Sequence, residues 1–137
     1  MRVPAFIDTN IFLHLVSSSP GEAPKQKIAA NLLASTRFGI SMQVIQEFYV
    51  NAVRKIEKPL ANEDAMKVVE WMKDFPLIET DWPLFVEAAR IQKRFQLSYW
   101  DSAILAAAER LGAETLFSED LNHGQKYGRI KVVNPYL

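Results

Sequence analysis

Four acidic residues lie at positions from which their side chains could act together. Asp8 directly follows a short apolar segment and Asp120 lies just after another, while Glu47 and Asp101 lie near the start of segments with helical character. Carboxylates that share a partly buried site repel one another and raise one another's pKa, and a hard divalent cation removes that repulsion. The four acids therefore predict an all-oxygen site for Mg²⁺ or Mn²⁺, an ion that could activate water for hydrolysis of a phosphate ester.

Other reactive chemistry is scarce in this sequence. The chain has no cysteine, which excludes disulfides, thiolate metal ligands and a cysteine nucleophile. Its two histidines, His14 and His123, are far apart in sequence, so we expect no zinc site and assign neither residue a catalytic role.

Each acid also has an ordinary structural explanation. Asp8 could cap the helix that follows it, and Ser98 with Asp101 has the spacing of a capping box. Glu47 could be a solvent-exposed helix residue, and Asp120 could belong to an ordinary polar loop. What favours a shared site is the combination of the four acids and their positions relative to the predicted strands.

Short apolar segments alternate with helical segments along the chain. The pattern predicts strands over residues 3–7, 38–41, 77–79, 115–118 and 130–133. It predicts helices over residues 11–16, 23–35, 42–55, 62–75, 81–95 and 98–111, with a polar loop over 119–129. This alternation is typical of an α/β fold with a central parallel sheet, in which ligands gather beyond the carboxyl ends of the strands.

Length and composition indicate one domain over residues 1–137, with 49% hydrophobic residues to form its core. Lys and Arg together number 16, as do Asp and Glu, so contact with nucleic acid would depend on local basic clusters. The candidates are Arg54, Lys55 and Lys58, then Lys93 and Arg94, then Lys126, Arg129 and Lys131. Trp100, beside Asp101, could stack on a base, although core packing is the commoner role for such a residue.

The N-terminal segment is not a good signal peptide, because Asp8 and Asn10 interrupt its apolar run. No stretch approaches the roughly 18 apolar residues of a membrane span. We therefore expect a cytoplasmic protein.

Four motifs in this chain resemble those of the PIN-domain family. They are Phe-Ile-Asp-Thr-Asn-Ile at 6–11, Ile-Gln-Glu-Phe at 45–48, Tyr-Trp-Asp-Ser-Ala-Ile-Leu-Ala-Ala-Ala at 99–108 and Leu-Phe-Ser-Glu-Asp-Leu at 116–121. The resemblance spans nearly the whole chain, in the family's order. It implies that the catalytic and metal-binding acids are Asp8, Glu47, Asp101 and Asp120. Asn10 and Ser118 match supporting polar positions, and we expect Asn10 to orient the first acid.

The resemblance also implies a three-layer α/β/α sandwich around a central parallel sheet, and an endoribonuclease that uses Mg²⁺ or Mn²⁺. Many bacterial members are VapC-type toxins, so the implied partners are an RNA substrate, an antitoxin and a second copy of the chain in a homodimer. Candidates for a dimer or antitoxin face are the aromatic residues Phe48, Tyr49, Phe85 and Phe95, although core packing is the commoner role for each of them.

Several alternatives stay open at this point. Glu119 adjoins Asp120 and either could face a metal, although the motif alignment favours Asp120. A housekeeping nuclease, or a non-catalytic module that binds RNA or protein, would share the fold, but the presence of all four acids argues against lost activity. Phosphatases also use an aspartate after the first strand, but they need a second aspartate where this chain has Asn10.

Overall fold

Strands and helices alternate along the part of the chain that the computed structural model describes, residues 2–137. The strands are β1 Ala5–Ile7, β2 Phe38–Ser41, β3 Leu77–Ile78, β4 Thr115–Phe117, β5 Lys126–Tyr127 and β6 Ile130–Val133. The helices are α1 Thr9–Val16, α2 Ala23–Ser35, α3 Met42–Arg54, α4 Asn62–Met72, α5 Trp82–Phe95 and α6 Tyr99–Arg110. A single turn of 3₁₀ helix, Pro20–Glu22, precedes α2.

The strands form one sheet in the order β3-β2-β1-β4-β6-β5. Neighbouring strands are parallel except β5 and β6, which are antiparallel. In the centre of the sheet, Ile7 of β1 is in register with Phe117 of β4, so Asp8 and Ser118 leave the sheet side by side. The helices flank this sheet and complete the three-layer α/β/α sandwich that the sequence predicts.

The core lies where the helices cover the sheet. All three residues of β1 are buried, as expected for a parallel strand that is covered on both faces. The alanine-rich helix α6 is buried from Ser102 to Ala108, because its small side chains allow close packing on the sheet. Phe12 of α1 is fully buried, with its ring edge against Phe38 and Trp71.

Some predicted boundaries were wrong. The predicted loop 119–129 contains β5, a two-residue strand that is too short to produce a periodic pattern. Helix α1 begins at Thr9 rather than at residue 11, because the carboxylate of Asp8 caps it. Asn62 is a residue type typical of an N-cap, but the N-cap of α4 is Ala61, and the amide of Asn62 donates to the hydroxyl of Tyr49.

Helix α4 ends at Met72, three residues before the predicted end at Phe75. Met66 of this helix is exposed. In residues 2–137 none of the helices combines the length and the apolar character that crossing a membrane requires.

Candidate active site

Asp8 is a buried carboxylate at the carboxyl end of the central strand. It is only 3% exposed. Its Oδ1 accepts a hydrogen bond of 2.7 Å from the backbone N–H of Thr9, and its Oδ2 accepts one of 2.7 Å from the hydroxyl of Ser118. Burial raises the pKa of Asp8 to about 7 despite these hydrogen bonds, and the nearby charges of Asp120 and Glu47 add to the increase. Asp8 therefore both caps α1 and lies in an electrostatically unfavourable acidic environment.

Thr9 connects this carboxylate to the acid on α3. Its hydroxyl donates a hydrogen bond of 2.8 Å to Oε1 of Glu47. The side-chain amide of Gln43, one turn earlier on α3, lies 3.4 Å from the other oxygen of Glu47 and also donates to the backbone carbonyl of Trp100 at 3.1 Å. Glu47 is therefore held between the first strand's end and the start of α6, the helix that carries Asp101.

Ser118 makes the corresponding connection to the last acidic segment. It follows β4, is fully buried, and its Oγ accepts a hydrogen bond of 3.0 Å from the backbone N–H of Asp120. Hydrogen bonds thus form a continuous chain from the backbone of Asp120 through Ser118, Asp8 and Thr9 to Glu47. Gln43 extends the chain to the residue before Asp101.

Asp101 lies in the first turn of α6, where the hydroxyl of Ser98 accepts a hydrogen bond from its backbone N–H. This contact confirms that Ser98 caps α6. Burial raises the pKa of Asp101, and the charge of Asp120 adds to the increase. Burial likewise raises the pKa of Tyr127 on β5, with a smaller effect from Asp101. The charge of Asp120 therefore acts on both Asp8 and Asp101 across the carboxyl edge of the sheet.

The donor set fits a hard divalent cation in its chemistry. It offers carboxylate oxygens, and a bound cation would offset the charge repulsion and burial that raise the pKa of Asp8. Within residues 2–137, no three acidic or histidine side chains lie in an arrangement already suited to holding a metal ion. Metal binding at these four acids therefore stays a prediction.

Glu119 has a different environment from Asp120. Its carboxylate lies 2.6 Å from Nε2 of His14 and 2.9 Å from Nζ of Lys25. Although burial acts to raise it, the pKa of Glu119 is lowered because of the hydrogen bonds from His14 and Lys25. The other ring nitrogen of His14 faces Glu22 at 3.1 Å. Glu119 is therefore engaged by basic partners outside the chain of hydrogen bonds that contains Asp8.

Asn10 supports the same segment. Its Oδ1 accepts a hydrogen bond of 3.3 Å from the backbone N–H of Glu119. Its Nδ2 is buried, with no hydrogen-bond partner in residues 2–137. The structure thus places Asn10 against the segment that carries Asp120, whereas the sequence led us to expect that it orients Asp8.

Sequence reasoning did not identify Thr9 and Gln43, although signals for both were present. Thr9 lies inside the first acidic motif, between Asp8 and Asn10, and Gln43 precedes Glu47 by four residues, which places the two on one helix face. Among the basic candidates, Lys55 lines the same cavity as Glu47 and Trp100. By contrast, Arg94 and Arg129 line a different cavity together with Arg2.

The aromatic candidates for a partner face differ in how far they are exposed. Phe48 is fully buried and belongs to the core, which is the commoner role that we expected for each of these residues. Tyr49 is half-buried and bonded to Asn62, and the half-buried Phe95 packs edge-on against Tyr127. Phe85 is 42% exposed, and Trp100, for which core packing seemed the commoner role, is 63% exposed.

Solved structures with this fold include a toxin–antitoxin complex from Klebsiella pneumoniae, with a TM-score of 0.73 and 21% identity over 96% of this chain and 98% of that chain. A second is Mycobacterium tuberculosis VapC20, described as a sarcin–ricin loop cleaving toxin, with a TM-score of 0.67 and 16% identity over 85% of this chain and 89% of that one. A third is DNA-bound VapBC from Salmonella typhimurium, with a TM-score of 0.63 and 20% identity over 95% of this chain and 96% of that one. At these identities the likeness establishes the fold alone.

No functionally curated protein matches the sequence of this chain. The family model of the PIN domain matches residues 5–128, a span that contains all four predicted acids and their hydrogen-bond partners. The parallel sheet, the flanking helices and this match over most of the sequence lead to one conclusion: the chain belongs to the PIN-domain family.

Proposed function

We propose that this protein is a Mg²⁺- or Mn²⁺-dependent endoribonuclease that hydrolyses phosphodiester bonds in RNA. The observation that carries the proposal is the chain of hydrogen bonds from the Asp120 backbone to Glu47. It passes through Ser118, the buried Asp8 and Thr9 at the carboxyl edge of the sheet. A structural cap would explain Asp8 alone, but it would not explain why three further acids share this edge.

The role that we assign to each residue follows from its surroundings. Asp8, Glu47, Asp101 and Asp120 would hold the cation, which supplies the Lewis acidity that activates water and offsets negative charge on the reacting phosphate. Ser118 and Thr9 fix the orientation of the Asp8 and Glu47 carboxylates. A carboxylate oxygen left free in the cluster accepts the proton of the attacking water.

Cleavage of a labelled RNA by the purified protein is the direct test. We expect cleavage with Mg²⁺ or Mn²⁺, no cleavage after addition of EDTA, and at least a hundredfold loss of rate in Asp8→Asn. The substitution removes one charge and almost no volume, so circular dichroism should show an intact fold. A parent protein that is inactive with both metals on a broad set of RNAs, or an Asp8→Asn variant as fast as the parent, would contradict the proposal.

We further propose that the nuclease is the toxin of a toxin–antitoxin pair and forms a homodimer. The support is the similarity in fold to the Klebsiella pneumoniae complex and the Salmonella typhimurium VapBC structure. An antitoxin could inhibit such a site by placing an Arg or Lys side chain among the carboxylates. Action on cellular RNA would place the protein in the cytoplasm.

Induction of the protein alone in a bacterial host tests the toxin assignment. We expect growth arrest with the parent and normal growth with Asp8→Asn at equal soluble expression. Normal growth with a parent protein that cleaves RNA in vitro would remove the toxin assignment and favour a housekeeping nuclease. Light scattering on the purified protein reports separately on the homodimer.

A further inference from the structure

Four aromatic rings, three of them exposed and one half-buried, form a continuous row between two helix N-termini. We call this surface the aromatic strip, and its members are Trp82, Phe85, Tyr99 and Trp100. Successive ring centroids are 5.4, 5.7 and 5.0 Å apart, so each ring contacts the next. The indoles at its two ends are 73% and 63% exposed. Exposed aromatic side chains that lie side by side are typical of a surface that contacts a ligand or partner.

The strip ends at the candidate active site. Trp100 precedes Asp101, and its backbone carbonyl accepts the hydrogen bond from Gln43, whose amide also approaches Glu47. With its backbone held in this way, the Trp100 ring lines a cavity of about 370 Å³ together with Glu47 and Lys55. A molecule that lies on the strip and continues into the cavity therefore contacts the carboxylate of Glu47 and the ammonium group of Lys55.

The chemistry of this surface selects its occupant. Flat exposed rings offer stacking to any nucleobase, because every base has a π-face. Lys55 offers a positive charge to a backbone phosphate in the adjoining cavity. Bases inside a duplex are already stacked and paired, so their faces are not available to the rings.

We propose that the aromatic strip binds unpaired bases of an RNA substrate next to the scissile phosphate. This inference rests on the proposed ribonuclease function. It assigns Trp82 and Trp100 the role of binding substrate bases, and Lys55 that of contacting the phosphate between them and the carboxylates.

Binding of RNA without metal tests the inference separately from catalysis. The experiment uses fluorescence anisotropy in EDTA with an Asp8→Asn background, a labelled single-stranded RNA and a blunt-ended RNA duplex of the same length. We expect Trp100→Ala and Trp82→Ala each to weaken binding of the single strand about tenfold, as for other stacked bases. Duplex binding should change less than twofold. Met66→Ala, which removes an exposed apolar side chain on α4, is the matched control and should change neither.

A single-stranded RNA with one abasic nucleotide, moved along the chain, decides whether stacking is the cause. At the position that stacks on Trp100, the missing base should weaken binding to the parent protein. On that same RNA, Trp100→Ala should cause no additional loss of affinity. If both Trp variants bind the single strand like the parent, or if the effect of Trp100→Ala persists at every abasic position, the inference is overturned.

A second copy of the chain is the competing occupant. Light scattering on the parent and both Trp variants shows whether the strip holds a dimer together. Loss of the dimer with unchanged affinity for the single strand would overturn base binding. If the parent protein cleaves RNA but both Trp variants bind the single strand as tightly as the parent, this inference is refuted and the proposed function stands. If the parent neither binds nor cleaves RNA, the proposed function is refuted as well.

Discussion

The hydroxyl of Ser118 donates a hydrogen bond of 2.7 Å to the carboxylate of Asp8, and both side chains are buried. The two residues lie 110 positions apart in sequence and become neighbours because β1 and β4 pair in parallel at the centre of the sheet. The same hydroxyl oxygen accepts a hydrogen bond from the backbone N–H of Asp120. Ser118 therefore determines both the orientation of the first acid and the path of the segment that carries the last one.

Replacement of Ser118 by Ala should weaken metal binding, although it removes only one hydroxyl group. The hydrogen bond from Ser118 lowers the pKa of Asp8, so its loss should raise that pKa further and make the carboxylate harder to ionise. We expect Mn²⁺ affinity, measured by calorimetry, to fall about tenfold or more. Loss of partners for a buried carboxylate and a backbone N–H should also cost about 1–3 kcal/mol of stability.

Ser102→Ala is the matched control for this variant. Ser102 is also fully buried, but its hydroxyl donates to the carbonyl of Ser98 within its own helix. We expect its Mn²⁺ affinity to equal that of the parent. Equal metal affinities in the two variants would show that Ser118 has no special role at the site.

The stability of the metal-free protein should fall as pH rises from about 4 to about 7. The native pKa of Asp8 is raised to about 7, whereas an unfolded aspartate titrates near its model value of 3.8. Between these values the folded chain retains a proton that the unfolded chain releases, so this contribution is complete below pH 4 and lost above pH 7. A shift of this size corresponds to the order of 4 kcal/mol.

The measurement is urea unfolding in EDTA at several pH values, for the parent and Asp8→Asn. Because the variant cannot titrate at this position, its stability relative to the parent should increase between pH 5 and pH 8. A difference in free energy of unfolding that stays constant over this range would show that Asp8 ionises normally in the folded protein.

Asp120 and Glu119 should differ in their effects although they are adjacent. Asp120→Asn should reduce RNA cleavage at least a hundredfold and weaken Mn²⁺ binding, since Asp120 lies close enough to Asp8 and Asp101 to raise the pKa of both. Glu119→Gln should leave cleavage within a few-fold of the parent, because Glu119 is engaged by His14 and Lys25. Its cost should be about 1 kcal/mol of stability, from weaker pairing at a partly exposed site. Reversed effects on cleavage would identify Glu119 as the fourth acid.

Mg²⁺ or Mn²⁺ should stabilise the folded protein, because a cation at the carboxylates binds the native state and not the unfolded chain. At a concentration one hundred times the Kd, the gain is about 2.7 kcal/mol. For a chain of this length that corresponds to a rise in Tm of roughly 10 °C, which EDTA should reverse. Asp8→Asn should show a much smaller rise, and a parent whose Tm does not respond to either cation would argue for a non-catalytic module.

The sequence was sufficient to predict the order and type of most elements. Apolar periodicity, helix caps such as Ser98, and the polar residue that follows a strand are local features, and they produce the same local structure in many contexts. Strand β5 was missed because two residues at the edge of a sheet carry no such pattern. The predicted acids also share an edge because parallel strands all end on the same side of their sheet.

The tertiary structure decided which residues meet at that edge. Thr9 binds Glu47 across 38 positions and His14 binds Glu119 across 105, and both contacts depend on which strands and helices become neighbours. Exposure was decided in the same way: Phe48 is buried and Trp100 is exposed, although both are aromatic residues on helices. Whether a side chain is buried depends on the elements that pack over it. Because those elements are distant in sequence, the residues next to the side chain do not determine its burial.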